Sequence, residues 1–215
     1  LQIPSRVLLP RQELDASRLN VMHSIGGKIA TEELRPHQNT LLQLGTQLLT
    51  LERLVGLMEK ADVLRQDSSV PVHPDLVKDF YLPLWGVISD LVPESVTGLR
   101  VNPAVEKLRG LRFVLTSNLY PSRMTDCYAV PRLLSVTDIA KVLPLLPTAH
   151  AGLADYPGVY KYLDTLEMSS VIAHIEEQLD EGKSAEEVVG TNHERLKRLY
   201  RILAELDRIG PADQD

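Results

Sequence analysis

Histidine, cysteine and carboxylate side chains are the residue types that could perform catalysis or bind metal in this chain. The six histidines are scattered, so no helix carries the close pair that many metal sites use. His174 and Glu177 share one predicted helix face, but a metal site needs further ligands that the sequence does not supply. A lone Cys127 cannot build a thiolate site. We therefore expect no metal and no cofactor.

Gly26-Gly27-Lys28 matches part of a phosphate-binding loop, in which glycines expose backbone N–H groups and lysine neutralises charge. The full motif is not present, because Met22 replaces its first glycine and Ile29 replaces its Ser or Thr. No Gly-x-Ser-x-Gly nucleophile elbow occurs either. The segment predicts a helix break beside a solvated lysine. An enzyme stays open only as the weaker alternative.

An enzyme of this sequence would have to assemble its site from distant residues. The candidates for such a site are His23, His150, Asp155 and Tyr156. Spacing rules give no sign that they meet, and a deep polar pocket holding several of them would support the idea. We expect a protein that is not an enzyme.

Basic residues are concentrated near the C-terminus, opposite the apolar side of a predicted helix. The candidates for phosphate contact are Arg195, Lys197, Arg198 and Arg201, with Arg208 on the same face. A second basic cluster comprises Arg100, Lys107, Arg109 and Arg112. The net charge of −6 and the lack of interleaved aromatic residues favour ordinary solvated faces. A nucleic-acid-associated protein is therefore an alternative that we do not favour.

Phe80, Tyr81 and Trp85 form the one aromatic concentration of the sequence, at helical spacing. Such a group is most often part of a core. Its functional interpretation is an interface anchor, because Trp and Tyr bury much area at little entropic cost. The nearby Pro83 should kink this helix and expose part of that surface. We include the three aromatic residues as candidates for a protein interface.

Leucine spacing defines the elements that must position these residues. A helical seam of alternating three- and four-residue steps predicts one long helix at about 36–66. The seam consists of Leu41, Leu44, Leu48, Leu51, Val55 and Met58. Further leucines on its other sides leave little polar face, so we expect other helices to surround it.

Proline, glycine and capping residues divide the rest into further helices. The pattern predicts helices at about 12–33, 76–91, 102–118 and 135–143, the last opened by a capping box at Ser135. A C-terminal antiparallel pair should follow at 157–210, separate from a helical body at 1–148 or packed on it as one domain. Strand alternation is absent from the sequence. We expect an all-α fold, an irregular bundle of six to seven helices around the long central one.

Composition fits an ordinary globular protein of 215 residues, with 44% hydrophobic and 24% charged residues. A single cysteine indicates a reducing compartment, so an intracellular and by default cytoplasmic location is expected. No apolar run approaches the roughly 20 residues of a membrane span, which predicts no membrane insertion.

The leading hypothesis is a non-enzymatic helical module for protein–protein interaction, acting as a scaffold, an assembly subunit or an adaptor. It would bind a protein partner or form homo-oligomers, alone or within a larger protein. The positive argument is the abundance of leucine seams. If the seam at 41–58 is incompletely covered within the chain, a partner helix or a second copy would cover it.

Overall fold

A computed structural model describes residues 6–65, 69–92 and 102–209, and these residues are mostly helical. Ten helices lie in the described ranges: α1 Ala16–Ser24, α2 Gln38–Gln43, α3 Leu51–Met58, α4 Pro74–Leu91, α5 Pro103–Arg109, α6 Val136–Val142, α7 Pro157–Tyr160, α8 Met168–Asp180, α9 Ala185–Val188 and α10 His193–Ile209. Short 3₁₀ helices occur at Glu32–His37, Asp62–Arg65, Met124–Asp126 and Ala151–Asp155. The predicted helical character is confirmed.

The prediction that the chain lacks strands is wrong in detail. Six two-residue strands form three pairs: β1 Leu8–Leu9 with β2 Gln47–Leu48, β3 Val114–Leu115 with β4 Pro121–Ser122, and β5 Tyr128–Ala129 with β6 Asp164–Thr165. The first and third pairs are parallel and the second is antiparallel. A strand of two residues is too short to show the alternation by which strands are predicted from sequence.

The long helix predicted at 36–66 does not form. Gly45 ends α2 in the left-handed region with φ +91°. Its N–H donates to the Leu42 carbonyl at 3.0 Å, and the Thr46 N–H donates to the Leu41 carbonyl at 3.0 Å. These two bonds form a Schellman motif, which turns the chain away from the helix axis. Strand β2 then follows, and α3 begins only at Leu51.

Helix α4 is the central helix of the structure. It consists of the α-helical turn Pro74–Leu76, a π-helical turn Val77–Tyr81 and the α-helical run Leu82–Leu91. Pro83 has no N–H for the helix ladder, and the π turn just before it is where such irregularities are accommodated. The buried residues of α4 are Val77, Phe80, Tyr81, Leu84, Trp85, Gly86, Val87 and Ile88.

Neighbouring elements approach α4 closely. The Trp85 indole N–H donates to the Phe113 carbonyl at 2.8 Å inside the core. On another side of α4, the Gly158 N–H of α7 donates to Ser89 Oγ at 3.0 Å. A Cβ atom at Gly158 would lie 2.6 Å from that oxygen, so only glycine permits this approach.

Two predicted helices are shorter than the sequence indicated. Helix α1 starts after Asp15, whose carboxylate accepts the Arg18 N–H at 2.9 Å, and it ends at Ser24, before Gly26. Helix α5 starts after Asn102, which accepts the Ala104 N–H at 2.8 Å. It ends before β3, because residues 114–115 pair with β4. Arg100 and the predicted helix ends at 66 and 210 lie outside the described residues.

Two apolar clusters make up the core. The first packs α1, α3, α4 and α5 with β3 and α7. The second joins Ile139 of α6, Val171 of α8 and Leu199 of α10, so residues on both sides of the predicted boundary at 148–157 share one cluster. None of the described helices has the length and apolarity that crossing a membrane requires.

The turn at Gly45 gives a prediction with a matched control. Gly45→Ala should lower the free energy of unfolding by about 1–2 kcal/mol, because an L side chain is strained at positive φ. Gly56→Ala in α3 should instead raise it by about 0.5–1 kcal/mol, because alanine is the better helix former. A Cβ atom meets no atom within 4 Å at either position. Urea denaturation of both variants checks the opposite signs, and two effects of the same sign would contradict the assigned turn.

Candidate functional site

The predicted interface anchors Phe80, Tyr81 and Trp85 belong to the core. The Phe80 and Tyr81 rings meet edge to face at 5.2 Å between centroids. Burial raises the pKa of Tyr81 to about 12, and its hydroxyl meets no hydrogen-bond partner in the described part of the chain. All three side chains are buried within the chain, which is the usual position of an aromatic group at helical spacing.

Two of the four candidate enzyme residues meet, at the ring of Trp85. The centroids of His150 and Tyr156 lie 6.0 Å and 6.1 Å from that of the indole. His150 Nδ1 accepts the Gly152 N–H at 3.1 Å, and burial lowers the pKa of this imidazole. Burial also raises the pKa of Tyr156. Both groups therefore serve packing, and neither is hydrogen-bonded to a carboxylate within the described chain.

The other two enzyme candidates lie apart from this cluster. Asp155 is exposed at the end of the 3₁₀ helix Ala151–Asp155. His23 lines a separate cavity, together with residues of β1, α1 and the segment that follows α1. No group of three or more His, Cys, Asp or Glu side chains in the described ranges could hold a metal ion. The geometry does not assemble a catalytic constellation from the four candidates.

Arg195, one of the predicted phosphate contacts, donates hydrogen bonds to two backbone carbonyls. Its Nε donates to the Val142 carbonyl at 2.8 Å, and its Nη2 donates to the Val188 carbonyl at 3.2 Å. These carbonyls are at the last residues of α6 and α9, where helices leave carbonyls without intrahelical partners. A guanidinium there also complements the negative helix ends. The sequence did not reveal this role, because Val142 is distant along the chain.

Lys197, Arg198 and Arg201 are exposed on α10, and none has a hydrogen-bond or ion-pair partner within the described residues. Arg198 and Arg201 face α6 across a groove of ≈ 750 Å³, which we call the basic groove, whereas Lys197 is outside it. In the second basic cluster, Arg109 pairs with Glu106 at 3.8 Å. The groove is therefore the place where the predicted basic residues come together.

An ordered segment that buries none of its side chains is the feature that the sequence analysis missed. Residues 31–45, which we call the leucine arm, contain the 3₁₀ helix Glu32–His37 and α2, neither with a buried residue. Both ends of the arm are tied to β1 and the residue before it. The Ala30 N–H donates to the Leu8 carbonyl at 2.9 Å, and the Gln47 N–H donates to the Val7 carbonyl at 3.2 Å.

The leucine arm exposes apolar side chains. Leu34, Leu42 and Leu44 are 41%, 36% and 61% exposed. At its root lies a cavity of ≈ 200 Å³ with an apolar wall, lined by Leu9, Leu14, Leu19, Ile29 and Ala30, with polar groups at Glu13, His23, Glu32 and Arg35. The sequence signal that could have located the arm is Gly45 followed by Thr46, which interrupts the apolar spacing just after Leu44.

Comparisons with known proteins give no match, neither to a family model nor to a curated protein nor to a solved structure.

The capping role of Arg195 leads to a stability prediction. Arg195→Met should lower the free energy of unfolding by about 2 kcal/mol, because two helix-end carbonyls lose a charged donor. Lys197→Met is the matched control and should change it by less than about 0.5 kcal/mol, as expected for an exposed residue. Equal effects of the two substitutions in chemical denaturation would contradict the structural role.

Half-buried imidazoles predict a pH dependence of stability. Partial burial lowers the pKa of His150 and of His174 from 6.5, and the Nε2 atom of His174 is buried without a hydrogen-bond partner among the described residues. The unfolded chain therefore binds more protons than the folded chain below pH 6.5, so stability should fall as the pH drops through this range. The pKa values of Glu52 and Glu187 are lowered from 4.5, so the stabilisation that these carboxylates contribute is lost only at a pH below the histidine range.

Thermal melts between about pH 7.5 and pH 5.5 check this expectation. The melting temperature should decrease with pH, and His174→Gln should make the decrease smaller. A melting temperature that rises toward pH 5.5, or an unchanged slope in His174→Gln, would show that His174 does not carry the effect.

Proposed function

We propose that this protein is a non-enzymatic protein–protein interaction module whose contact surface is the leucine arm. One observation supports this function above the others. The arm is helical and tied to β1 at both ends, yet it buries no side chain within its own chain. Apolar side chains held in an ordered exposed segment are typical of a binding surface.

Exposed leucines give such a surface its binding energy. Fully burying one leucine side chain is worth about 1.5–3 kcal/mol, so covering three partly exposed ones contributes about 2–4 kcal/mol, which is more than tenfold in affinity. The helical turns around them are already formed, which reduces the entropy lost when a partner binds. Of the ten large apolar side chains that are exposed in the described ranges, three lie on this arm.

A second copy of the chain is the partner that the surface fits best. The arm supplies protruding leucines, and its root supplies the apolar cavity lined in part by Leu14 and Leu19. A two-fold dimer needs both features on one face, because the same surface of each copy must be complementary to itself. Arg35 holds the arm beside this cavity through the Arg11 carbonyl at 3.3 Å. The arm and the cavity therefore keep a fixed relation.

An enzymatic function has less support. His150 and Tyr156 pack on Trp85, whereas His23 lines the cavity at the root of the leucine arm. The nucleic-acid alternative depends on the exposed cations of α10, of which Arg195 is no longer one. Neither alternative explains an exposed arm of leucines.

Molar mass measured by light scattering from low to several hundred micromolar concentration tests the proposal. We expect a dimer that dissociates on dilution. Leu42→Glu combined with Leu44→Glu should give a monomer at all these concentrations, because burying two unpaired carboxylates is unfavourable. The matched control carries the same change at Val70 and Leu145, which are exposed outside the arm, and it should still dimerise.

Circular dichroism of each variant establishes that it is folded. A wild-type chain that stays monomeric throughout, or an arm variant that dimerises like the control, would contradict self-association through the leucine arm.

A further inference from the structure

The basic groove is a second surface, made by different elements from the leucine arm. One wall is α6 with the turn before it, and the other wall is α10. Its lining includes Leu133, Asp138, Lys141, Arg198, Arg201 and Glu205. Ile139 and Ile202 belong to the second core cluster, so the groove lies directly over a packed apolar core.

Positive charge is concentrated on both walls of the groove. Lys141 projects from α6, and Arg198 and Arg201 stand one turn apart on α10. No hydrogen bond or ion pair engages these three cations within the part of the chain that the structure describes. The charge of Arg208, by contrast, is neutralised by an ion pair with Glu205, in which Nη2 and Oε2 lie 2.6 Å apart. An anion in the groove would therefore meet cations from two sides, although the chain as a whole carries a net charge of −6.

The groove also has apolar surface. Leu133, which lines the groove, is 73% exposed. Among the described residues no aromatic side chain lines the groove, so these residues offer no platform for stacking nucleic-acid bases. The carboxylate of Asp138 would repel a strand that carries a phosphate at every nucleotide. A peptide can place its carboxylates at the cations and uncharged residues beside this acid.

We propose that the basic groove binds a short acidic peptide segment of a partner protein. Carboxylates of the segment pair with Lys141, Arg198 and Arg201, and one large apolar side chain packs on Leu133. Guanidinium groups bind carboxylates through two parallel hydrogen bonds, which fix the orientation of the two groups in addition to their charge attraction. This inference goes beyond self-association through the leucine arm and does not depend on it.

Fluorescence anisotropy with defined probes tests the proposal. The probes are a fluorescein-labelled peptide of glutamates with a central leucine, the same peptide with lysines in place of the glutamates, and a labelled single-stranded DNA of similar length. We expect only the glutamate peptide to bind, with an affinity that falls as salt is added. Leu133→Ser should weaken this binding because the apolar contact is lost.

Charge reversal on α10 supplies the matched comparison. Arg198→Glu combined with Arg201→Glu should lower the affinity for the glutamate peptide by at least about tenfold, because attraction becomes repulsion. Lys197→Glu reverses a neighbouring charge outside the groove and should change it by less than about twofold. Arg198→Gln combined with Arg201→Gln is a second variant, to be measured if the charge-reversed protein does not fold. This variant should also weaken binding of the glutamate peptide.

Four outcomes would overturn the proposal: no binding of the glutamate peptide, equal losses with Lys197→Glu and the arginine variants, full binding after Leu133→Ser, or tighter binding of the DNA that depends on Arg198 and Arg201. The last would assign the groove to nucleic acid. The variant with glutamate at residues 42 and 44 should bind the peptide like the wild type, which separates this test from that of the leucine arm.

Discussion

The burial of Trp85 in α4 is the constraint on which the rest of the structure depends. A fully buried indole must find an acceptor for its N–H, and the Phe113 carbonyl provides it at 2.8 Å. This bond fixes α4 against the segment that leads into β3. The rings of Tyr81, His150 and Tyr156 then surround the indole. Groups that could have been catalytic are therefore part of the packing around one side chain.

Sequence rules for helix capping predicted correctly those helix starts that are determined by residues next to them in the sequence. Asn102 and Ser135 cap α5 and α6 as their sequence positions indicate, with Ser135 Oγ accepting the Asp138 N–H at 3.2 Å. The seam at 41–58 gave the wrong prediction of one long helix, because the apolar spacing continues in phase across the turn at Gly45. A periodic pattern cannot distinguish one helix from two that are separated by a Schellman turn at Gly45. The outcome was decided by the pairing of β2 with β1, which lies far away in sequence.

The sequence predicted which residue types form the candidate surfaces, but not which groups each of those residues contacts. Arg195 and Arg198 have the same chemistry and lie on the same helix. Arg195 caps α6 and α9, whereas Arg198 is exposed in the basic groove. The difference depends on where α6 ends in space, and no local pattern encodes this. Leu44 was likewise predicted to be buried in a seam, and its 61% exposure follows only from the turn after it.

The two proposed surfaces lie over different parts of the core, and this has a consequence for binding. The leucine arm is rooted on β1, whose Leu8 belongs to the first cluster, and the basic groove lies over the second cluster. Occupying one surface would not displace a ligand from the other. A dimer formed through the arms would therefore carry two grooves, and a partner with two acidic segments would bind the dimer more tightly than the monomer if its linker spans both. Such coupling between self-association and partner affinity is how an adaptor can make binding depend on its own concentration.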